Sequence, residues 1–305
     1  MKKEQLTALP IRLLITCNML NSLLRTWQFI YSHPLGSQNF PHALNLWIRW
    51  QIGARILRMP VVVPFIDESQ LVAELGMTGA TGNIYSGLHE FADMAFCLHL
   101  LRARDLFVDV GANIGSYTVL ASKVVGANSL AIEPVPVTFK RLQANIRLND
   151  ISSLVDSRCC AAGKNSGVLK FTSDLDTTNR AVDADYMGSS IEVPVESLDQ
   201  ILEQLQPTLI KIDVEGFEPD VIAGANKVLA CESLLAILLE TVDSGIDKTL
   251  KDFGFEPASY DPFQRKLEIS VDNHLNNNYL WVRNPSQVLD RCKSASKFQA
   301  LGISF

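Results

Sequence analysis

The chain's chemistry is concentrated in a few short stretches. FVDVGANIGSYT (107–118) runs from an apolar segment through Asp109, Gly111, Asn113 and Gly115 into an amphipathic one. Glycine at such a strand-to-helix turn allows a tight bend and lets a ligand lie against bare backbone. LAIEP (130–134) then sets Glu133 at the tip of the next apolar run, 22 residues after Gly111. A carboxylate at that place can accept both hydroxyls of a ribose. The two segments together describe a site for an adenosine-bearing ligand at the carboxyl ends of parallel strands.

The loop arbitrates between cofactors. A dinucleotide binder needs G-x-G-x-x-G to bring its pyrophosphate onto a helix N-terminus. Here the loop reads Gly111-Ala112-Asn113-Ile114-Gly115, and Asp109 stands two residues before the first glycine. A carboxylate there suits a cationic, amine-bearing ligand, which favours S-adenosylmethionine (SAM) over NAD.

A second constellation lies in LIKIDVEGFEPDVIAGA (209–225). Asp213 and Glu215 are two residues apart, so a strand would present both on one side at its end. Lys211 precedes Asp213 by two. The alternative for Glu215 and Glu218 is capping of the helix that Pro219 opens. Glu240 closes the apolar run LLAILLE (234–240) and either reaches the same pocket or forms a solvated strand end. Methyl transfer from a sulfonium to an alcohol is an in-line displacement that needs positioning and a proton acceptor. Asp213, Glu215, Glu240 and His89 are the candidates. His89 and Glu90 follow a Gly- and Thr-rich stretch, GMTGATGNIYSG (76–87), which reads as a loop. They could close over SAM or simply start a helix, and Tyr85 could stack on SAM or pack internally. No His joins Asp213 and Glu240 at ligand spacing, so no metal is expected, with a metal-assisted mechanism through these two carboxylates as the alternative.

From residue 106 the pattern alternates apolar strand and amphipathic helix. Core strands are expected at 107–111, 130–134, 155–161, 209–216 and 234–240, with shorter ones at 167–172 and 191–195. Helices are expected at 116–125, 136–148, 219–229 and 245–253. FEPASYDP and NNNYLWVR suggest a terminal antiparallel pair around KLEIS. This is α/β architecture with a largely parallel sheet covered on both faces. Residues 1–60 read as helical and rich in Trp and Arg. Apolar residues from Ile11 to Tyr31 fall on a helical stripe, which predicts a helix docked on the protein or, alternatively, in peripheral contact with a membrane surface. No run approaches the ~20 apolar residues of a bilayer span.

YSGLHE (85–90), FVDVGANIGSYT, AIEP and LIKIDVEGFEPDVIAGA, in this order, resemble the hallmark segments of FkbM-type SAM-dependent methyltransferases. The resemblance covers about residues 80–283. It implies a class I methyltransferase (Rossmann-like) fold with a seven-stranded, mostly parallel sheet and one antiparallel strand. It also implies O-methyl transfer, often to sugars or secondary metabolites. Carried onto this sequence, Asp109, Gly111, Asn113 and Gly115 form the SAM loop, Glu133 takes the ribose, and Asp213 and Glu215 line the active site. The expected organisation is a helical extension (1–80), a methyltransferase domain (81–285) and a C-terminal tail (286–305).

The chain has 305 residues and a net charge of −6, which argues against nucleic acid as the partner. The expected partner is a small-molecule or glycan acceptor. Six cysteines without C-x-x-C spacing read as free thiols, consistent with a cytoplasmic location. Two other readings stay open: a catalytically inactive SAM-fold scaffold or carbohydrate-recognition module, and an NAD-dependent oxidoreductase.

Overall fold

A computed structural model describes residues 24–172, 181–182, 188–269 and 278–305. The part of the expected 11–31 helix before residue 24 lies outside the described residues, as does Cys17. Residues 24–32 are helical (α1). Prolines in the first turns open α2 (Pro34–Gln38) and α3 (Phe40–Leu57), and the His33 Nδ1 caps α2 by accepting from the Leu35 and Gly36 amides. A hairpin follows, β1 (Val61–Pro64) against β2 (Gln70–Ala73).

Residues 76–87 depart from the loop expectation, because Thr78–Ser86 form helix α4. Glycine and threonine are poor helix formers, but tertiary packing overrides propensity. A Cβ on Gly82 would lie 2.2 Å from the His89 ring, so the glycine is what lets the helix sit against that side chain. Helix α5 (Phe91–Leu100) is apolar nearly all round and buried along almost its whole length.

The core then alternates strand and helix. Strand β3 (Leu106–Val110) leads to α6 (Ser116–Val119), which continues into a π-helical turn, Leu120–Val125. Next come β4 (Asn128–Ile132), α7 (Pro136–Leu148) and β5 (Val155–Arg158). Short strands β6 (Ala161–Ala162), β7 (Gly167–Thr172), β8 (Ala181–Val182) and β9 (Ser190–Glu196) form a separate small sheet. After α8 (Leu198–Leu202) come β10 (Leu209–Ile212), α9 (Glu218–Ala223), α10 (Asn226–Leu229), β11 (Ala236–Leu239) and α11 (Ser244–Asp252). The chain ends with β12 (Glu256–Asp261), β13 (Lys266–Ile269), β14 (Tyr279–Val282), α12 (Pro285–Ser294) and the hairpin β15 (Gln299–Ala300)/β16 (Ile303–Ser304).

The main sheet has the order β13-β12-β14-β11-β10-β3-β4-β5. Strands β5, β4, β3, β10 and β11 are parallel, and β14 runs antiparallel between β11 and β12. This is the expected class I arrangement with one correction. The sheet has eight strands rather than seven, because KLEI turns back at Phe263–Arg265 and adds β13 to the edge strand β12. The chain winds outward from β3 through β4 and β5, then returns to place β10 on the other side of β3, so the switch point lies between β3 and β10.

Period two divides the strand residues between two cores. Val108, Val110, Ile210, Ile212, Ile237 and Leu239 face α8 to α11. Phe107, Leu209, Ala236 and Leu238 face α5, α6 and α12. The next positions on that second face are Asp109 and Lys211, directly opposite in the β3–β10 register. The C-terminal residues 286–305 share this core through Val288, Cys292, Phe298 and Phe305. Arg265 fastens them by donating to the carbonyls of Cys292, Lys293, Ala295, Ser296 and Phe305. The five described cysteines are all free, and no described helix is long and apolar enough to cross a membrane.

Replacing a helical glycine by alanine ordinarily stabilises by about 1 kcal/mol. At Gly82 the His89 ring reverses the sign: overpacking costs roughly 1–3 kcal/mol, so Gly82→Ala should lower the melting temperature. A raised melting temperature would show that α4 does not pack on His89.

Candidate active site

At the carboxyl end of β3 the chain must turn sharply beneath the carboxyl end of β10. Gly111 has φ +80°, and a Cβ there would stand 1.9 Å from the Asp213 carbonyl oxygen. Asn113 also adopts the left-handed region, at φ +51°, where Asn is among the tolerated residues. Gly115 (φ +86°) turns the chain into α6 against Leu142, which leaves no room for a side chain. The loop is fixed by Glu133: its Oε2 accepts from the Asn113 amide at 3.0 Å and its Oε1 from the Val135 amide at 2.9 Å. An ionised carboxylate has about four acceptor positions, so two remain for a ligand. Burial pushes the Glu133 carboxyl up to about 7, although both amides oppose the shift.

These residues border a cavity of about 260 Å³. Six carboxyl groups line it: Glu90, Asp109, Glu133, Asp213, Glu215 and Glu240. Lys211 is the sole Lys or Arg among the lining residues. Its side chain is 4% exposed, pairs with Asp213 and lies 4.8 Å above the Tyr117 ring. Burial alone would lower the lysine pKa. Asp213, Glu90 and Asp109 together overcome that and hold it above its ordinary value. Asp109 is fully enclosed and accepts from Thr118 Oγ1 at 2.7 Å. Burial raises its carboxyl despite Lys211.

Asp213 and Glu240 form a carboxyl pair. Burial works to raise Asp213, but Lys211 and the hydrogen bonds from Lys211 and Glu240 bring it below its usual range. Glu240 moves the other way: burial first, then the charges of Asp213 and Glu215, push it up to about 8. The pair thus favours holding a proton over carrying two charges, and the buried Oε2 of Glu240 has no hydrogen-bond partner among the described residues. Glu218 does a different job. It is fully buried, its Oε1 accepts from the Val214 and Gly216 amides, and Thr241 donates to its Oε2. It holds the turn that presents Asp213 and Glu215.

On the α5 side, the Tyr117 hydroxyl donates to Glu90 at 2.7 Å, and Asn278 donates to Asp93 at 3.0 Å and to Glu90 at 3.4 Å. Burial, with Glu90 adding, pushes Asp93 up to about 7. His89 borders the cavity with a buried, unpartnered Nδ1, and burial keeps its pKa below the ordinary value against the pull of Glu90.

Of the residues singled out in the sequence, Glu90, Asp109, Gly111, Asn113, Glu133, Asp213, Glu215 and Glu240 meet at this cavity. Gly115 and Tyr85 are not among its lining residues. Gly115 shapes the loop from beneath, and Tyr85 packs edge-on against Phe29. Lys211, noted beside Asp213 in the sequence, also lines the cavity, and the structure adds Tyr117, Phe171 and Phe217. Lys211 was visible as an isolated cation in an apolar strand, a signal of enforced pairing. Phe171 had no sequence signal, since it arrives from the separate small sheet.

Residues 109–257 match the family described as Methyltransferase FkbM domain. The chain is 28% identical over 206 residues to methyltransferase sdnD of Sordaria araneosa, covering 54% of this chain and 79% of that protein. It is 30% identical over 173 residues to 31-O-demethyl-FK506 methyltransferase FkbM of Streptomyces tacrolimicus, covering 45% and 66%. Hexuronic acid methyltransferase AglP of Haloferax volcanii is 28% identical over 155 residues, covering 47% and 58%. The chain thus spans under two thirds of the length of the last two. Residues 109–257, which carry the Gly111–Gly115 loop, Glu133 and the Asp213 turn, thus form a methyltransferase domain of the FkbM family.

Proposed function

We propose that this protein transfers the methyl group of SAM to a hydroxyl of a sugar, a glycan or a secondary metabolite. The observation that carries the reading is the anionic cavity at the switch point, where six carboxyl groups face one buried ammonium. Relatives named for a hexuronic acid and for 31-O-demethyl-FK506 support an oxygen acceptor. The residues present fit SAM: a glycine where no Cβ has room, two spare acceptor positions on Glu133, and negative charge for a cation.

Bound SAM supplies a methyl group on a sulfonium, the electrophile of an in-line displacement. The loop from Gly111 to Gly115 and Glu133 hold the adenosine end, with Glu133 taking the ribose hydroxyls. Asp109 and Glu90 supply negative charge for the amine-bearing end. Asp213 accepts the proton of the acceptor hydroxyl as the O–CH3 bond forms and the S–CH3 bond breaks. Its lowered pKa is no obstacle, because an oxygen gaining a methyl group becomes strongly acidic during the step. Glu240 keeps its own proton beside Asp213, and its unpartnered oxygen can orient the acceptor hydroxyl. Positioning of this kind contributes up to ~7–11 kcal/mol, and general-base help about 10²–10⁴-fold.

The test separates binding from turnover. Glu133→Ala should weaken SAM affinity measured by calorimetry while leaving the far-UV spectrum unchanged. Asp213→Asn should lower turnover of radiolabelled methyl onto an accepting glycan by roughly 10²-fold or more with a smaller effect on SAM affinity. Equal losses would make Asp213 a cofactor contact. SAM binding without turnover on any hydroxyl acceptor would favour the scaffold reading.

The carboxyl groups also predict a pH signature. Glu133 and Asp93 are raised to about 7 and Glu240 to about 8, so the folded state holds protons that the unfolded chain releases above its ordinary carboxyl range. Stability is then fullest below about pH 4.5 for these groups and is lost as pH rises through 7 to 8. The melting temperature of the unliganded protein should fall across that window, and Glu240→Gln should flatten the fall. A melting temperature that rises from pH 6 to 8.5 would contradict the burial of these protons.

A further inference from the structure

The chain's charge is sharply segregated. Residues 5–66 contain five arginines and no Asp or Glu, and all but one of the 33 carboxylates lie from Asp67 onward. The described part of this basic region also carries the largest concentration of exposed apolar side chains. On α3, Ile48, Ile52 and Ile56 recur at four-residue spacing and are 44, 56 and 73% exposed. Leu57, Met59 and Val62 continue the apolar surface beyond the helix. Arg49, Arg55 and Arg58 are interleaved with these residues, and no described carboxylate pairs with any of them.

We propose that the outward face of α3 and the segment leading into β1 dock on an anionic lipid bilayer. Large side chains aligned on one helix face, flanked by unpaired arginines, form an interfacial amphipathic helix: the apolar side chains enter the headgroup boundary and the arginines meet lipid phosphates. A net charge of −6 opposes approach to such a surface as a whole, so attraction is local to this face, and the acidic remainder orients the molecule. An apolar groove of about 530 Å³ runs along the inner side of α3, between Leu46, Trp50, Leu57, Val61 and Ile84, with Arg49 at its rim. It has room for part of an acyl chain.

The docking face is mechanically joined to the catalytic cavity. The inner side of α3, through Trp50 and Ala54, packs with Met77, Ala80 and Ile114, and Ile114 belongs to the loop between Gly111 and Gly115. The cavity, which Ile114 and Gly79 of α4 line, therefore lies behind α3 and the elements it packs on. The proposal does not depend on which cofactor the cavity takes.

The experiment is vesicle flotation of the full chain with phosphatidylcholine alone and with phosphatidylcholine mixed with phosphatidylglycerol. Binding is expected to the mixed vesicles, much less to the neutral ones, and to fall steeply with salt. Arg49→Gln with Arg55→Gln should weaken binding about 30-fold. Ile52→Ser with Ile56→Ser should weaken it roughly tenfold or more. Both pairs are surface positions, so melting temperature and SAM titration on each variant should match the unaltered protein. If both variants float as well as the unaltered protein, the contact lies elsewhere, residues 1–23 included, and the proposal fails. It also fails if no vesicle binds, or if the Ile variant only converts a dimer to a monomer, which would make the face an interface between copies.

Discussion

A single buried ammonium organises the centre of this molecule. Lys211 projects from the middle of the sheet, opposite Asp109 in register, and pairs with Asp213 just beyond the end of its own strand. Carboxylates taken out of water are costly unless paired, and so is an unpaired lysine. Each therefore needs the other, and the structure satisfies both only where β3 and β10 lie side by side. The same closeness brings the backbone at Gly111 against the Asp213 carbonyl, which is why no side chain fits at 111. Tyr117 completes the enclosure with its ring beneath the ammonium and its hydroxyl on Glu90.

Six carboxyl groups against one ammonium leave the cavity poised for positive charge. Part of the excess is discharged by protons held on Glu240 and, just behind the lining, Asp93. A cation entering the site offers another way to neutralise it. The framework around the cavity is drawn from distant parts of the chain. Asn145 on α7 accepts from the Val72 amide and donates to the Ile114 carbonyl, tying the N-terminal hairpin to the ligand loop. Asn278, at the start of β14, ties the far end of the chain to Glu90 and Asp93. Segments outside residues 109–257 are thus built into the site.

What could be read from the sequence was local. A strand ending in Asp109-Val110-Gly111, a turn through Asn113 and a carboxylate at the next strand tip form a pattern within one βαβ unit, and the structure sets those residues around one cavity. Glu218 illustrates the ambiguity left at a D-x-E turn, since the residue that holds the turn amides stands three beyond Glu215. The misreadings came from long-range packing. Residues 76–87 have loop composition, yet α4 forms because Gly82 fits against His89. Tyr85 follows that helix toward Phe29 rather than into the cavity. Tyr117 could not be assigned without knowing how α6 sits against β10, and the eighth strand depended on a turn at Phe263–Arg265 that composition does not distinguish from a surface loop.

The central claim is that the cavity between β3, β4 and β10 holds an adenosyl sulfonium. The most direct test is calorimetric titration of the purified chain with SAM, S-adenosylhomocysteine and NAD. The account predicts saturable binding of the two adenosyl ligands at one site per chain and none of NAD. No adenosyl binding by protein shown to be folded, or selective binding of NAD, would contradict it.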